Sequence, residues 1–372
     1  MMTGVGIHVT TTMKRAFNFN AGPAALPLEV LKAAAEQMTD YEGAGMSIME
    51  MSHRSKHYER LNDETQQLFR SLLSIPEGYK VLFLQGGAST QFAMIPMNLL
   101  PADKTAGYVV TGSWAIKAFK EAQLFGATFE AASSKPTAYD RVPDLSSIAL
   151  PSNAAYLHVT SNETIEGVQM QTFPNTGNTP LIADMSSDIL SRPVDVSKFG
   201  MIYAGAQKNL GPSGVTVVIA KDELVDASPK TLATMLRYDT HSANNSLYNT
   251  PPSFSVYMMN LVLRWIRDGG GLSEMERRNK EKTDLLYRVI DESDGFYTGH
   301  ADPAYRSRMN VTFRLKDEAL EKAFIKESEA AGFVGLKGHR SVGGCRASTY
   351  NAVPYETCAA LAEFMTDFQK KH

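Results

Sequence analysis

Between residues 80 and 207 the chain is broken into short apolar runs that leave no room for a solvated face. They read "KVLFLQ" (80–85), "GYVVTG" (107–112), "AYLHVT" (155–160), "PLIADMS" (180–186) and "MIYAGAQ" (201–207). A strand with one wet face alternates apolar and polar residues. Continuous runs of this kind are buried on both faces, as in a mostly parallel sheet covered by helices. Helical patterns precede and separate them. "LPLEVLKAAAEQM" (26–38) carries Pro27 near its start, and "KHYERLNDETQQLFRSLLSI" (56–75) places Tyr58, Leu61, Leu68, Leu72 and Ile75 on one face. A further helix is expected in "STQFAMIPMNLL", just after Gly86-Gly87. "GVTVVIA" (214–220) follows residue 207 so closely that only a short turn fits, so it is expected to pair antiparallel.

The spacing therefore predicts an α/β fold. With 372 residues, one hydrophobic core is exceeded and two domains are expected. A long amphipathic helical stretch after residue 255 is interrupted by Gly269-Gly270-Gly271, the best boundary in the chain. Beyond it, "RMNVTFRL" and "CRASTY" read as strands, with "DEALEKAFIKESEAAG" and the C-terminal segment as helices. The division expected is a poorly ordered extension at 1–15, a large domain at 16–270 and a small αβ domain at 271–372.

A net charge of −3 argues against nucleic acid or an anionic membrane as the main partner, so any anion must be held by local arginines and backbone amides. Two cysteines, Cys345 and Cys358, provide neither a disulfide framework nor a cysteine-based metal site. They fit a reducing cytoplasm. No stretch approaches the roughly twenty apolar residues of a membrane-spanning helix, and "MMTGVGIHVTTTMKR" lacks the pattern of a secretory signal.

Several residues stand where chemistry is done. Lys208 ends an apolar strand and precedes "NLGPSG". Burial lowers a lysine's pKa, the route to a nucleophilic amine or Schiff base, whereas a lysine that merely snorkels from a strand end is the commoner case. Small neighbours, Ala204, Gly205 and Ala206, leave space there for a flat ligand. Asp184 closes another apolar strand, at the edge where ligands bind in open α/β sheets. It is either the partner of a cationic ring nitrogen or the cap of a helix beginning near Ser186 or Asp188. "LQGGASTQF" (84–92) presents backbone amides and the hydroxyls of Ser89 and Thr90 to an anion. Trp114 follows a strand end, placed either to stack on a planar ring or to pack as a core residue. His53, Arg54, His339, Arg340 and Arg346 are candidates for recognising carboxylate or phosphate.

Taken together these residues resemble the phosphoserine aminotransferases, a branch of the fold-type I pyridoxal-phosphate (PLP) enzymes. The resemblance is carried by "NFNAGPAALP", "MSIMEMSHRS", "NETIEGV", "IYAGAQKNLGPSGV", "YNTPPSF" and "KGHRSVGGCRASTYNA", from residue 17 to the C-terminal helix. It implies a large domain with a mostly parallel seven-stranded sheet and a smaller C-terminal αβ domain. It implies that Lys208 forms the imine with PLP, that Asp184 pairs with the pyridinium nitrogen, that Trp114 stacks on the ring and that Thr164 bonds near the ring oxygen. Ala88, Ser89 and Gln207 would bind the cofactor phosphate, with Asn249 and Thr250 reaching it from the neighbouring subunit of a homodimer. Arg346 would hold the substrate α-carboxylate, and His53, Arg54, His339 and Arg340 the distal anion. The reaction implied is reversible transfer between L-glutamate and 3-phosphohydroxypyruvate, giving O-phospho-L-serine; the related substrate of pyridoxine synthesis is also compatible. No metal is expected. Some family members carry Gly-Arg where this chain has Ala88-Ser89, so one arginine contact to phosphate is missing. The alternatives are an alanine–glyoxylate-type aminotransferase, a cysteine desulfurase, or a non-catalytic phosphate-binding module. The His339-Arg340 pair, Trp114 in the stacking position and the need of Asp184 for a cation weigh against them in turn.

Overall fold

The structure, a computed structural model, describes residues 15–340 and 342–372. The expected extension at 1–15 therefore lies outside the described residues except for Arg15, whose Nη2 donates to Leu26 O.

Seven strands form the large sheet: β1 (Tyr79–Leu84), β2 (Thr105–Val110), β3 (Ala127–Ser133), β4 (Ala154–Thr160), β5 (Leu181–Asp184), β6 (Met201–Gly205) and β7 (Thr216–Lys221). Their order across the sheet is β1-β7-β6-β5-β4-β2-β3. Every neighbouring pair is parallel except those made by β7, which is antiparallel to both β1 and β6. The central strands β5 and β6 are buried at every residue, as their unbroken apolar runs require. Strand β3, "ATFEAAS", has no such run. It lies at the sheet edge with no fully buried residue, and a strand paired on one side only does not need an apolar sequence.

The helix after β1 begins at Gly87, two residues ahead of "STQF", and runs to Leu99. Gly86 and Gly87 both have positive φ, 91° and 66°, a conformation side chains rarely adopt. A Cβ on Gly86 would also stand 2.0 Å from Thr90 Oγ1. Glycine is required there by both backbone and space.

Helix Ser253–Asp268 and helix Gly271–Asp291 meet at the glycine triplet. Beyond it, Tyr297–Gly299, Asn310–Leu315 and Cys345–Ser348 form an antiparallel three-stranded sheet over an aromatic core that includes Phe296, Phe313, Phe324 and Phe368. Phe17–Asn18 pairs with Phe333–Val334, Phe17 stacks on Phe333 at 4.9 Å, and Phe19 joins the same core. A division at residue 270 thus separates residues that the structure pairs, because the apolar face of this first strand finds its cover among the C-terminal aromatics.

Lys282 is buried in the helix after the glycine triplet. Its Nζ donates to Thr349 O, Tyr350 O and Val353 O at 2.8, 2.8 and 3.1 Å. It tethers the turn that follows Cys345–Ser348. Lys282→Ala leaves three carbonyls without this donor, and is expected to cost roughly 3 kcal/mol in a denaturant titration.

Candidate active site

In a sheet of this order the carboxyl ends of β2, β4, β5 and β6 open on one edge, and the loops leaving them bring the site together. Lys208 stands three residues beyond β6. Its Nζ donates to Thr164 Oγ1 at 2.7 Å and lies 5.0 Å from the centroid of the Trp114 ring. Burial lowers the Lys208 pKa to about 8; Asp184 and Glu163 oppose that shift, and Arg346 reinforces it. A fraction of its amine is therefore unprotonated near neutral pH.

Asp184 is buried at the end of β5. Burial raises its pKa, while Lys208 and hydrogen bonds from Ser186 and Tyr203 pull it back. Ser186 N donates to Oδ1 at 2.8 Å, but residues 186–190 form turns. No helix begins at Ser186 or Asp188, so the capping alternative falls away: the chain turns back toward β6 instead of winding on. Behind Asp184, the Tyr203 oxygen stands 2.8 Å from His158 Nε2. Burial depresses the His158 pKa to about 3, so the imidazole is neutral. With Tyr203 donating to Asp184, the Nε2–H of His158 donates to Tyr203.

Trp114 is the second residue of helix Ser113–Ala122, and its Nε1 is buried without a hydrogen-bond partner. Ala88 and Ser89 lie in the first turn of helix Gly87–Leu99, where the leading amides have no intrahelical acceptor. Gln207 is partly buried beside Gly205, where an added Cβ would stand 2.7 Å from its Oε1, and its carbonyl accepts from Ala24 N. Thr250 O accepts from Gln85 Nε2 at 3.3 Å in the same chain, next to the glycine turn, and Asn249 Nδ2 donates to the same carbonyl.

Arg346 lies in strand Cys345–Ser348. Its Nη1 donates to Thr164 O at 3.4 Å, and its Nε is buried without a partner. Burial lowers the pKa of His339, and Arg346, Lys117 and Arg340 push it further the same way. These four basic groups share one neighbourhood. Lys117, which sequence reasoning did not single out, also holds its Nζ 4.1 Å from the Trp114 centroid. His53 and Arg54 lie in the turn before helix Lys56–Leu73. Among the described residues no hydrogen bond or ion pair joins them to Lys208, Trp114 or Arg346. Cys345 is buried and its thiol pKa raised by that burial, the reverse of what a nucleophilic cysteine needs. Among the described residues no group of three His, Cys, Asp or Glu is placed to hold a metal, and no helix is long and apolar enough to cross a membrane.

This donor set fits PLP on its own chemistry. The site has an amine of lowered pKa for the aldehyde and a buried carboxyl whose pKa burial raises. It also has an indole above the amine, a helix N-terminus for phosphate, and orphaned Arg346 Nε for a substrate carboxylate.

The chain matches the family Aminotransferase class-V over residues 16–361. A phosphoserine aminotransferase of Niallia circulans is 64% identical over 357 residues, 96% of this chain and 99% of the relative. That of Bacillus subtilis (strain 168) is 54% identical over 360 residues, 97% of this chain and all of the relative. A solved phosphoserine aminotransferase from Bacillus circulans subsp. alkalophilus superposes with a TM-score of 0.95 at 63% identity, covering 96% of this chain and 99% of that one. PLP-bound phosphoserine aminotransferase from Trichomonas vaginalis gives 0.90 at 40% identity, over 95% and 100%. The chain belongs to the class-V aminotransferases, and within them to the family of the phosphoserine aminotransferases.

Proposed function

We propose that this chain uses PLP to transfer an amino group reversibly between L-glutamate and 3-phosphohydroxypyruvate, yielding 2-oxoglutarate and O-phospho-L-serine for serine biosynthesis. The observation that carries this reading is the placement of Lys208 Nζ, bonded to Thr164 and lying by the Trp114 ring, with Arg346 held to the same loop. The 4-carbon phosphorylated substrate of pyridoxine synthesis presents the same two anionic ends and fits the same reading.

Bound PLP supplies an electron sink for the charge left at the substrate Cα. The residues do the rest. Lys208 Nζ, once free and neutral, takes the α-proton as general base, a role worth roughly 10²–10⁴-fold in rate. Asp184 would hold the proton on the ring nitrogen, and the cation so maintained would give this buried carboxylate its partner. Trp114 would stack on the ring, and Thr164, which accepts from Lys208 Nζ, would bond near the ring oxygen. Ala88, Ser89 and Gln207 would bind the cofactor phosphate. Arg346 takes the α-carboxylate, and His339, Arg340, His53 and Arg54 receive the distal phosphate or γ-carboxylate. We propose a cytoplasmic homodimer in which Asn249 and Thr250 reach the neighbouring site. The large unit at 16–270 and small unit at 271–372 would close across it, with Phe17–Asn18 moving with the small unit.

The purified protein is expected to be yellow and to bleach when phosphoserine is added, forming glutamate if 2-oxoglutarate is present. A colourless protein, or alanine preferred to phosphoserine, overturns the assignment. The rate at which apoprotein captures PLP should rise with pH through a midpoint near 8 instead of the ordinary lysine value of 10.5, because the neutral amine is the nucleophile. Arg346→Ala should raise KM for glutamate and phosphoserine alike by about 10- to 100-fold, the value of a charge-assisted bond. An effect on one substrate alone would contradict the shared α-carboxylate role.

A further inference from the structure

The helix that carries Trp114 has no cap of its own. Gly112 occupies the position before Ser113–Ala122 and has no side chain to offer the first amides. Those amides are taken by two glutamates from the loop after β4. Glu163, fully buried, accepts from Trp114 N at 3.0 Å with Oε2. Its Oε1 accepts from Ala115 N at 3.1 Å and Thr111 Oγ1 at 3.2 Å. Glu166 Oε1 accepts from Ser113 N at 2.9 Å and Ser113 Oγ at 2.6 Å. Burial and the neighbouring Glu166 raise the Glu163 pKa to about 8, against the pull of the donors it accepts from and of the positive end of the helix dipole. A Cβ on Gly112 would stand 2.6 Å from Glu166 Oε2 and 2.7 Å from Glu163 Cδ. Its φ of 167° is extended backbone open to any residue, so it is the carboxylates that require glycine there.

The same loop also holds Lys208 and Arg346. Thr164, between the two glutamates, accepts from Lys208 Nζ through its side chain and from Arg346 through its carbonyl. Ile165 O accepts from Thr312 Oγ1 at 3.1 Å. "ETIE" is one clamp on the ring-stacking residue, the reactive amine and the carboxylate-binding arginine.

We propose that Glu163, with Glu166 beside it, is a positioning residue that fixes the Trp114 ring relative to Lys208 and so sets the grip on the cofactor ring. The inference rests on Trp114 as the stacking partner. An ordinary cap, by contrast, contributes stability alone.

Trp114 and Trp265 are the two tryptophans of the chain, so a Trp265→Phe background makes Trp114 the sole reporter. In apoprotein, Glu163→Gln is expected to lower Trp114 anisotropy and raise its acrylamide quenching constant about twofold or more. Glu163→Ala should go further, since Gln keeps one acceptor oxygen. PLP affinity, followed by quenching of Trp114, should fall about tenfold as the stacking ring loses its hold. Gly112→Ala, which displaces the carboxylates without removing them, should reproduce these changes. Folded variants whose Trp114 anisotropy, quenching and PLP affinity all match the background would overturn the proposal. Failure of PLP to quench Trp114 in the background itself would instead overturn the stacking reading, a separate outcome.

Discussion

Lys208→Ala is expected to lower kcat by about 10⁴-fold or more, since it removes both the covalent anchor and the general base. The variant should leave no borohydride-reducible adduct, as measured by mass spectrometry of the tryptic peptide containing residue 208. Lys208→Arg separates the roles. A guanidinium keeps the positive charge opposite Asp184 but is not deprotonated in proteins, so a lysine serving only as a counter-charge would be replaced well. The depressed pKa of about 8 argues that the neutral amine is what the site prepares, and both variants should be equally inactive. Retention of even a tenth of the activity by Lys208→Arg would sink the proposed role.

The parts of this site that were legible in sequence share one property: each is a chemically distinctive residue at the end of an apolar run. Lys208, Asp184 and Trp114 are costly or conspicuous where they stand, and a strand buried on both faces announces its own end. Thr164 needed the resemblance to be placed, and the arginines needed it to be divided between the α-carboxylate and the distal anion. Glu163, Glu166, Tyr203, His158 and Lys117 went unread because their roles depend on partners far along the chain. Glu163 serves an amide 49 positions away, and Tyr203 meets His158 at a separation of 45. The pattern of one segment cannot show what another segment lacks. Strand β3 escaped for a different reason, its exposed edge having removed the selection for apolar residues that marks the other six. Strand Phe17–Asn18 is too short for any period to show, and its aromatic cover lies at the other end of the chain.

Asp184→Asn should lower kcat by roughly 10²–10³-fold, the scale of a lost preorganised electrostatic contact, while making the apoprotein more stable. The two effects have one origin. A carboxyl whose pKa is raised on folding binds its proton more tightly in the folded chain, so its contribution to stability declines as pH rises from the ordinary 3.8 through the folded value. At neutral pH the buried carboxylate is a net cost in the apoprotein, and asparagine removes it while keeping the oxygen that Ser186 N reaches. The melting midpoint at pH 7 should therefore rise, with the gain over the parent shrinking as pH is lowered through that window. Lys208 supplies an independent check. Asp184 is the largest influence holding its pKa up against burial, so the variant should capture PLP with a pH midpoint below 8. A variant that lost stability at neutral pH, or whose capture midpoint moved upward, would mean that Asp184 is not a costly buried carboxylate attracted to Lys208 in the way this geometry requires.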